Sequence, residues 1–263
     1  MAEYIVRQKS HVEQVGLSFS NVGEENLVDT DCWRCCERQY TFQPIYRTSG
    51  RLMGIELLTA VFYPSTPQQV ISPEAYFKTL DVEKRLQVVI EQLQLLNQWN
   101  QRFIQDDLLA SVNIDGLTLL ALQKSRKAKK LITSMPWLRL ELVESLEGLS
   151  KDTLVNLPEA RRLWLDDFGC GVANFSSLVL TKYDCIKIAR ELFVILLQTE
   201  EGRQLFPLLV TLISRYCNYV VIEGVETKDE WTVVKQSNAT AAQGYYLARP
   251  QSFDHFDSLQ LEL

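Results

Sequence analysis

The sequence predicts an α/β fold, a parallel β/α barrel with one irregular strand at its start. The chain has 263 residues, of which 46% are hydrophobic, and one β/α barrel of this length buries a large core. From residue 40 onward, short apolar segments alternate with amphipathic helical patterns, which is typical of repeated strand–helix units. The first two strand-like segments follow each other without a helix between them, and this predicts the irregular start.

Eight segments have the length and apolar composition of strands. In chain order they are 40–46, 53–61, 109–114, 138–142, 163–166, 185–188, 219–223 and 242–245. Amphipathic helices are predicted between most of them, including 82–100, 117–130 and 203–216. No linker or internal repeat divides the body of the chain, so we expect one domain over residues 31–263 after a flexible lead-in over residues 1–30.

Composition narrows the functional classes. The net charge of −6 argues against a broad surface for DNA or RNA. No apolar stretch is long enough to cross a bilayer and the first residues lack a signal-peptide core, so we expect a soluble cytoplasmic protein without membrane insertion. The chain has two histidines, His11 and His255, both near its ends. Oxygen-ligand metal chemistry is therefore favoured over a catalytic triad or a histidine-rich metal centre.

A basic run over residues 124–130 ends the second predicted helix. Cations at a helix C-terminus are favoured by the helix dipole and remain solvated. We therefore interpret the run as a solvated helix end, and a contact with an anion or a membrane is the alternative.

Two adjacent carboxylates, Asp166 and Asp167, follow a short apolar run and precede a turn flanked by glycines. At the end of a buried strand such carboxylates repel each other and lose hydration, so they need a positive charge beside them. A pair of divalent ions supplies it, because one carboxylate can bridge two ions about 3.5–4 Å apart. The alternative is that the two aspartates cap a turn or a helix.

Further polar residues occur at the ends of predicted strands. The carboxyl ends of the strands in a β/α barrel converge on one face, where oxygen ligands would form a site for Mg²⁺ or Mn²⁺. A lysine there would orient or help deprotonate a water, or stabilise developing charge. Taken singly, each residue has a structural alternative, such as an ion pair at a strand end. The residues are Glu56, Asn113, Glu141, Asp166, Asp167, Lys187, Glu223 and Gln243.

Seven motifs in order resemble the EAL domain of cyclic di-GMP phosphodiesterases. They are GIELL at 54–58, SVNI at 111–114, LELVES at 140–145, LDDFGCG at 165–171, IKI at 186–188, EGVET at 223–227 and AQGY at 242–245. The resemblance covers about residues 40–256. The sequence is similar in particular to stand-alone members of the family, which lack a cyclase or sensor domain. It implies a modified (β/α)8 TIM-like barrel with an irregular or antiparallel first strand.

The resemblance also implies a reaction, hydrolysis of one phosphodiester bond of cyclic di-GMP to linear pGpG with two Mg²⁺ or Mn²⁺ ions. Lowering cyclic di-GMP would favour motility over biofilm growth. Carried over position by position, the resemblance implies that the first ion is held by Glu56, Asn113, Glu141 and Asp166. The second ion would be held by Asp166, Asp167 and Glu223. The implied catalytic residues are Lys187, Glu56 and Asp167.

Two further sets of residues follow from the same resemblance. Those implied for the substrate are Gln43, Leu57, Leu58, Gln243 and Arg249. Those implied for a loop that couples homodimer formation to metal binding are Glu144, Phe168, Gly169, Gly171 and Glu226.

The chain departs from the family pattern at Ala60, where an arginine usually contacts substrate phosphate. Arg190 and Arg249 are candidates to replace that arginine. Ala189 stands where an aspartate is common, and Cys170 where a threonine is common. The alternatives to an active enzyme are a receptor for cyclic di-GMP and a regulator that binds another protein. The intact set of ligands and Lys187 favours the enzyme.

Overall fold

The computed structural model describes residues 36–63, 66–142, 162–170 and 183–263 of the chain, which belong to two compact units. Among the described residues, the larger unit comprises 40–59, 82–142, 162–170 and 183–263, and the smaller one comprises 36–39, 60–63 and 66–81. The predicted lead-in over residues 1–30 lies outside the described residues, so the domain boundary at residue 31 stays a prediction.

The described residues contain ten strands and eight α-helices. The strands are β1 (Glu37–Arg47), β2 (Leu52–Tyr63), β3 (Thr66–Ile71), β4 (Leu109–Ile114), β5 (Leu138–Leu142), β6 (Leu163–Phe168), β7 (Cys185–Ile188), β8 (Tyr219–Ile222), β9 (Ala241–Ala242) and β10 (Gln251–Ser252). The helices are α1 (Pro73–Thr79), α2 (Val82–Asn97), α3 (Asn100–Gln105), α4 (Gly116–Lys124), α5 (Arg126–Ser134), α6 (Arg190–Leu197), α7 (Glu200–Ile213) and α8 (Lys228–Gln236), followed by a 3-10 helix (Phe253–Ser258).

Eight strands form a closed barrel in the larger unit, within the part of the chain that the structure describes. Their order is β1-β9-β8-β7-β6-β5-β4-β2, and β1 also pairs with β2. The pairs from β2 and β4 round to β8 and β9 are parallel, whereas β1 is antiparallel to β9. The turn at 47–50, where Gly50 N donates to Arg47 O (2.8 Å), is too short for a parallel crossover. The predicted barrel and its irregular first strand are confirmed.

The smaller unit contains the distal end of β2, which pairs with β3 through Val61 and Ile71 in antiparallel register. Helix α1 follows and begins after Ser72, whose hydroxyl accepts a hydrogen bond from Ala75 N (3.4 Å). No helix of the described residues is long and apolar enough to cross a membrane.

Several predicted boundaries are wrong for identifiable reasons. The predicted helix 82–100 is interrupted at Trp99, whose backbone is not helical, so α2 and α3 are separate. The predicted helix 117–130 breaks at Ser125, whose hydroxyl caps α5 by accepting from Ala128 N (3.2 Å). Helix α7 begins at Glu200, before the predicted residue 203, because Thr199 caps it through Gly202 N. β3 and β10 were not predicted, and β9 is shorter than predicted.

The position of the basic run over 124–130 also differs from its interpretation as one helix end. It spans the last residue of α4 and the first turn of α5. Arg126 and Lys127 therefore lie at a helix N-terminus, where the dipole disfavours positive charge.

The core of the larger unit has an outer and an inner layer, because successive strand residues face opposite sides. Outward residues such as Leu140 and Ile186 pack with apolar residues of the helices, including Leu93 and Phe206. The inward residues at the lower level form a separate apolar cluster, which consists of Ile45, Met53, Trp164, Cys185, Val221 and Ala241. This inner apolar layer lies below the polar residues at the carboxyl ends of the strands.

A buried ion pair lies at the opposite end, where the strands begin. Arg139 Nε lies 2.6 Å from Asp184 Oδ2, and Asn218 Nδ2 donates to Asp184 Oδ1 (2.8 Å). Trp164 Nε1 donates to the same carboxylate (3.4 Å). The arrangement links β5, β6 and the starts of β7 and β8, so it serves stability and not chemistry.

Replacing Asp184 with alanine is expected to lower the free energy of unfolding by about 3–5 kcal/mol, because it leaves the Arg139 charge buried without a counter-charge. Urea denaturation followed by circular dichroism measures this. The control is Glu74→Ala, which removes the exposed pair with Lys78 (2.7 Å) and should cost less than about 1 kcal/mol. Equal stabilities of the two variants would contradict this account of the pair.

Candidate active site

Polar side chains from eight consecutive positions around the barrel meet above the inner apolar layer. Alternation along each strand explains this: Leu140 and Leu142 of β5 face the helices, whereas Glu141 between them faces inward. The register sets Glu141 beside Asn113 of β4. The polar layer comprises Gln43, Glu56, Asn113, Glu141, Asp166, Lys187, Glu223 and Gln243.

Lys187 lies at the centre of this layer and is completely buried. Its Nζ lies 2.5 Å from Glu141 Oε1 and 2.7 Å from Glu223 Oε1. It is also 3.0 Å from Glu56 Oε2 and 3.4 Å from Asp166 Oδ1. One ammonium group therefore faces four carboxylates, and the layer has an excess of negative charge.

The surroundings determine which of these groups are charged. Burial alone would lower the pKa of Lys187, but Asp166, Glu141 and the other carboxylates raise it well above its usual value. Burial, together with the neighbouring carboxylates, raises the pKa of Glu141 and of Glu223 well above the usual range. Protons on these two carboxyl groups relieve the mutual repulsion, and a divalent cation that displaces them would relieve it in the same way.

Glu56 is the best-anchored carboxylate of the layer. Asn113 Nδ2 donates to its Oε1 (2.9 Å) and Gln243 Nε2 to its Oε2 (2.8 Å). Burial would raise the pKa of Glu56, but Lys187 and these amides outweigh it and lower the pKa. Gln243 Nε2 also donates to Gln43 Oε1 (3.1 Å), and Gln43 Nε2 donates to Ala248 O (3.1 Å), so Gln43 ties β1 to the segment after β9.

A backbone irregularity brings Asp166 and Asp167 to the same place. Adjacent residues of a regular strand point to opposite faces, but the β6–β7 register shifts between Leu165 and Phe168, and Asp167 has a φ of +52°. Aspartate is among the few residues other than glycine that adopt this left-handed conformation readily. Oxygens of Asp166, Asp167 and Glu223 consequently lie within 4.8 Å of one another.

The donor set fits divalent ions that prefer oxygen. Besides the group just described, Glu56, Glu141 and Glu223 form a second group whose oxygens lie within 4.8 Å of one another, and Glu223 belongs to both. Four acceptor oxygens of the layer are buried and accept no hydrogen bond within the described residues: Asn113 Oδ1, Glu141 Oε2, Asp166 Oδ1 and Gln243 Oε1. Such oxygens are costly to bury, and a Mg²⁺ or Mn²⁺ ion would satisfy them.

Several other predicted site residues lie outside the polar layer. Leu57 is buried in the outer core, on the opposite face of β2 from Glu56, and Leu58 is half-buried. Arg249 is exposed, and its guanidinium carbon lies 4.5 Å from the centre of the Tyr245 ring. Of the predicted coupling loop, Phe168 is buried and Gly169 has a φ of +103°. Glu144 and Gly171 lie outside the described residues.

Arg190 does not have the role proposed for it from the sequence. Its guanidinium donates to Gly224 O and to Glu226 Oε2 (2.8 Å), so it is not available as a substitute phosphate ligand. Sequence reasoning gave no signal for this arrangement, because its partners lie 34 and 36 residues further along the chain.

The chain belongs to the EAL domain family, whose model matches residues 31–250. It is 50% identical over 239 residues to "Cyclic di-GMP phosphodiesterase PdeH" of Escherichia coli K12, which covers 91% of this chain and 94% of that protein. It is 25% identical to "Anti-FlhC(2)FlhD(4) factor YdiV" of Salmonella typhimurium LT2, over 77% of this chain and 87% of that one. The solved structure "PaMucR Phosphodiesterase, c-di-GMP complex" has the same fold, with a TM-score of 0.64, 21% identity, and coverage of 85% of this chain and 94% of that one.

Asp167 predicts a pH dependence of the metal-free protein. Burial, followed by the charge of Asp166, raises the pKa of Asp167 from 3.8 to about 7. The folded state therefore holds a proton that the unfolded chain releases, and stability falls as pH rises from about 4 to about 7. A rise in pKa from 3.8 to about 7 contributes up to about 4 kcal/mol to the free energy of unfolding below pH 4.

We expect Asp167→Asn to flatten the dependence of the melting temperature on pH between 5 and 8 in EDTA. The matched control is Asp115→Asn, because Thr118 and Arg85 outweigh burial and hold the pKa of Asp115 below its usual value, so that it stays ionised throughout this range. Parallel profiles for the wild type and Asp167→Asn would contradict the prediction.

Proposed function

We propose that this protein is a cyclic di-GMP phosphodiesterase that hydrolyses one phosphodiester bond of its substrate to linear pGpG with two divalent ions, Mg²⁺ or Mn²⁺. The observation that carries the proposal is the buried polar layer with two overlapping groups of carboxylates joined at Glu223. The 50% identity to a protein named as a cyclic di-GMP phosphodiesterase supports the substrate.

The ligands divide between the two ions. When bound, the ions would neutralise charge on the phosphoryl group and lower the pKa of a water molecule. Asp166 is the ligand common to both ions in the sequence-based assignment, whereas the geometry favours Glu223 as a second shared ligand. The ligands assigned from the sequence are Glu56, Asn113, Glu141 and Asp166 for the first ion and Asp166, Asp167 and Glu223 for the second, and we add Glu223 to the first set.

Lys187 acts as a hydrogen-bond donor in this proposal. Its raised pKa keeps Nζ protonated, so the group does not accept a proton from water. An ammonium at the centre of the layer can orient the attacking water and stabilise negative charge on the transferred phosphoryl group. Gln43 and Gln243 hold the adjacent segments in place, and Arg249, stacked on Tyr245, is the proposed cationic contact for the substrate.

We further propose that the protein is cytoplasmic and acts as a homodimer through the region after Asp167, and that it lowers cyclic di-GMP to favour motility over biofilm growth. Sedimentation of the purified protein tests the dimer. A monomer with full activity would remove the need for one.

The decisive experiment is incubation of the purified protein with cyclic di-GMP in Mg²⁺, in Mn²⁺ and in EDTA, with products separated by chromatography. We expect pGpG with either metal ion and none in EDTA. Tight nucleotide binding without a product would support a receptor instead. Neither binding nor product would favour a regulator that binds protein, and the similarity to YdiV makes this the second candidate.

Glu56→Ala and Asp167→Asn are each expected to reduce turnover by at least about 100-fold while the circular dichroism spectrum stays unchanged, because each removes a ligand without opening the apolar core. Glu83→Gln, an exposed carboxylate of α2, is the control and should retain full turnover. Activity of either site variant close to that of the control would refute the assignment of these ligands.

A further inference from the structure

Arg190 is the first residue of α6, and it lies two residues after the end of β7, the strand that carries Lys187. Its side chain is only 10% exposed. A guanidinium is costly to bury unless charged or carbonyl oxygens surround it. The partners of this group therefore identify what Arg190 stabilises.

Among the described residues, the hydrogen-bond and ion-pair partners of Arg190 lie in one short segment directly after Glu223. Arg190 Nη1 donates to Gly224 O, and Nη2 donates to Glu226 Oε2 (2.8 Å). Nη2 also lies 3.5 Å from Glu230 Oε1. One guanidinium thus holds a backbone carbonyl and two carboxylates of residues 224–230.

The same segment is held at its other side by β7 and β9. Glu223 N donates to Ile188 O (3.0 Å), and Val225 N donates to Gln243 O (3.0 Å). The end of β7 therefore binds the backbone amide of Glu223, and Arg190 at the start of α6 binds the carbonyl of the next residue, Gly224. These contacts fix the backbone that carries the Glu223 carboxylate.

Gly224 shows how closely the two segments fit. Its φ is +65°, and a Cβ there would lie 2.5 Å from Arg190 Cδ. The Arg190 side chain therefore lies against the backbone itself, where no larger residue fits.

Glu230 joins this arrangement to α8. Its Oε2 accepts from Glu226 N (2.6 Å) and Thr227 N (3.1 Å), and Thr227 caps the helix in return. Glu226, implied from the sequence to couple a loop to metal binding, is thus connected to the site through Arg190.

We propose that Arg190 is a positioning residue, which fixes Glu223 in the geometry that both carboxylate groups share. The inference rests on the proposed function, since it concerns the ion ligands of the same site. Without Arg190, Gly224 O and the carboxylates of Glu226 and Glu230 lose their common cation, and the backbone after Glu223 keeps only its hydrogen bonds to β7 and Gln243. The loss should weaken ion binding and leave nucleotide recognition unchanged.

The test is Mn²⁺ binding to the full-length protein, measured directly by electron paramagnetic resonance and independently of turnover. Arg190→Ala should weaken Mn²⁺ binding by about 10–100-fold, as removal of a residue that orients a metal ligand does. Its kcat should fall at low Mn²⁺ and recover at high Mn²⁺, with the KM for cyclic di-GMP unchanged. Arg190→Lys should restore binding only in part, because one ammonium cannot reach the same three acceptors.

Arg102→Ala is the matched control. Arg102 also donates to backbone carbonyls, those of Phe256 and Leu259, and pairs with Asp106 (3.2 Å), but it does not contact the segment after Glu223. It should lower the melting temperature and leave Mn²⁺ affinity unchanged. If Arg190→Ala does not fold, Glu226→Gln keeps Arg190 and its bond to Gly224 while it removes one charged partner, and it should weaken Mn²⁺ binding measurably.

The outcomes separate this inference from the proposed function. A wild type that neither binds Mn²⁺ nor forms pGpG overturns the proposed function. A wild type that does both, while Arg190→Ala or Glu226→Gln binds Mn²⁺ as tightly, overturns the role of Arg190. Equal loss of Mn²⁺ affinity in Arg102→Ala would reduce Arg190 to a general stabilising residue, and that also overturns the role.

Discussion

The ammonium of Lys187 among four carboxylates is the constraint on which the rest of the site depends. A lysine buried this deeply is tolerated only because Glu56, Glu141, Asp166 and Glu223 surround it, and these carboxylates are tolerated together only because the lysine lies between them. Each group comes from a different strand or strand end, so the charge cluster is stable only in the closed barrel. The site and the fold therefore stabilise each other.

Inside the barrel, the apolar residues that stabilise the fold and the polar residues of the candidate site lie at different levels along the strands. The apolar inner layer around Trp164 fills the barrel below the polar layer, and the pair of Arg139 and Asp184 joins the strands at the opposite end. Each part sits at its own level along the strands because alternation and register are fixed by the apolar residues that face the helices. The polar layer can thus accumulate charge that a general core could not accept.

Part of this architecture could be predicted from the sequence, because it depends on the pattern of residues within single strands. Strands β4, β5 and β7 have the predicted bounds, because each has buried apolar residues at alternate positions facing the helices. Eight polar residues were predicted to share one site from their positions at strand ends and from the order of the motifs. Seven of them lie together in the barrel, and Asp167 joins them because the β6 backbone is irregular there. The helix breaks at Trp99 and Ser125 depend on backbone angles, and the contacts of Arg190 join residues distant in sequence, so neither could be read from local pattern.

The central ammonium also affects which cations the surrounding carboxylates would accept. Its Nζ is covalently attached to β7 and lies 2.5–3.4 Å from four carboxylates, so any added cation must share those oxygens with it. A monovalent ion such as K⁺ brings the same charge without the tether, so it gains nothing by exchanging with Lys187. A divalent ion brings twice the charge and can share the carboxylates with the lysine. We therefore expect the buried lysine to disfavour monovalent ions relative to divalent ions at these carboxylates.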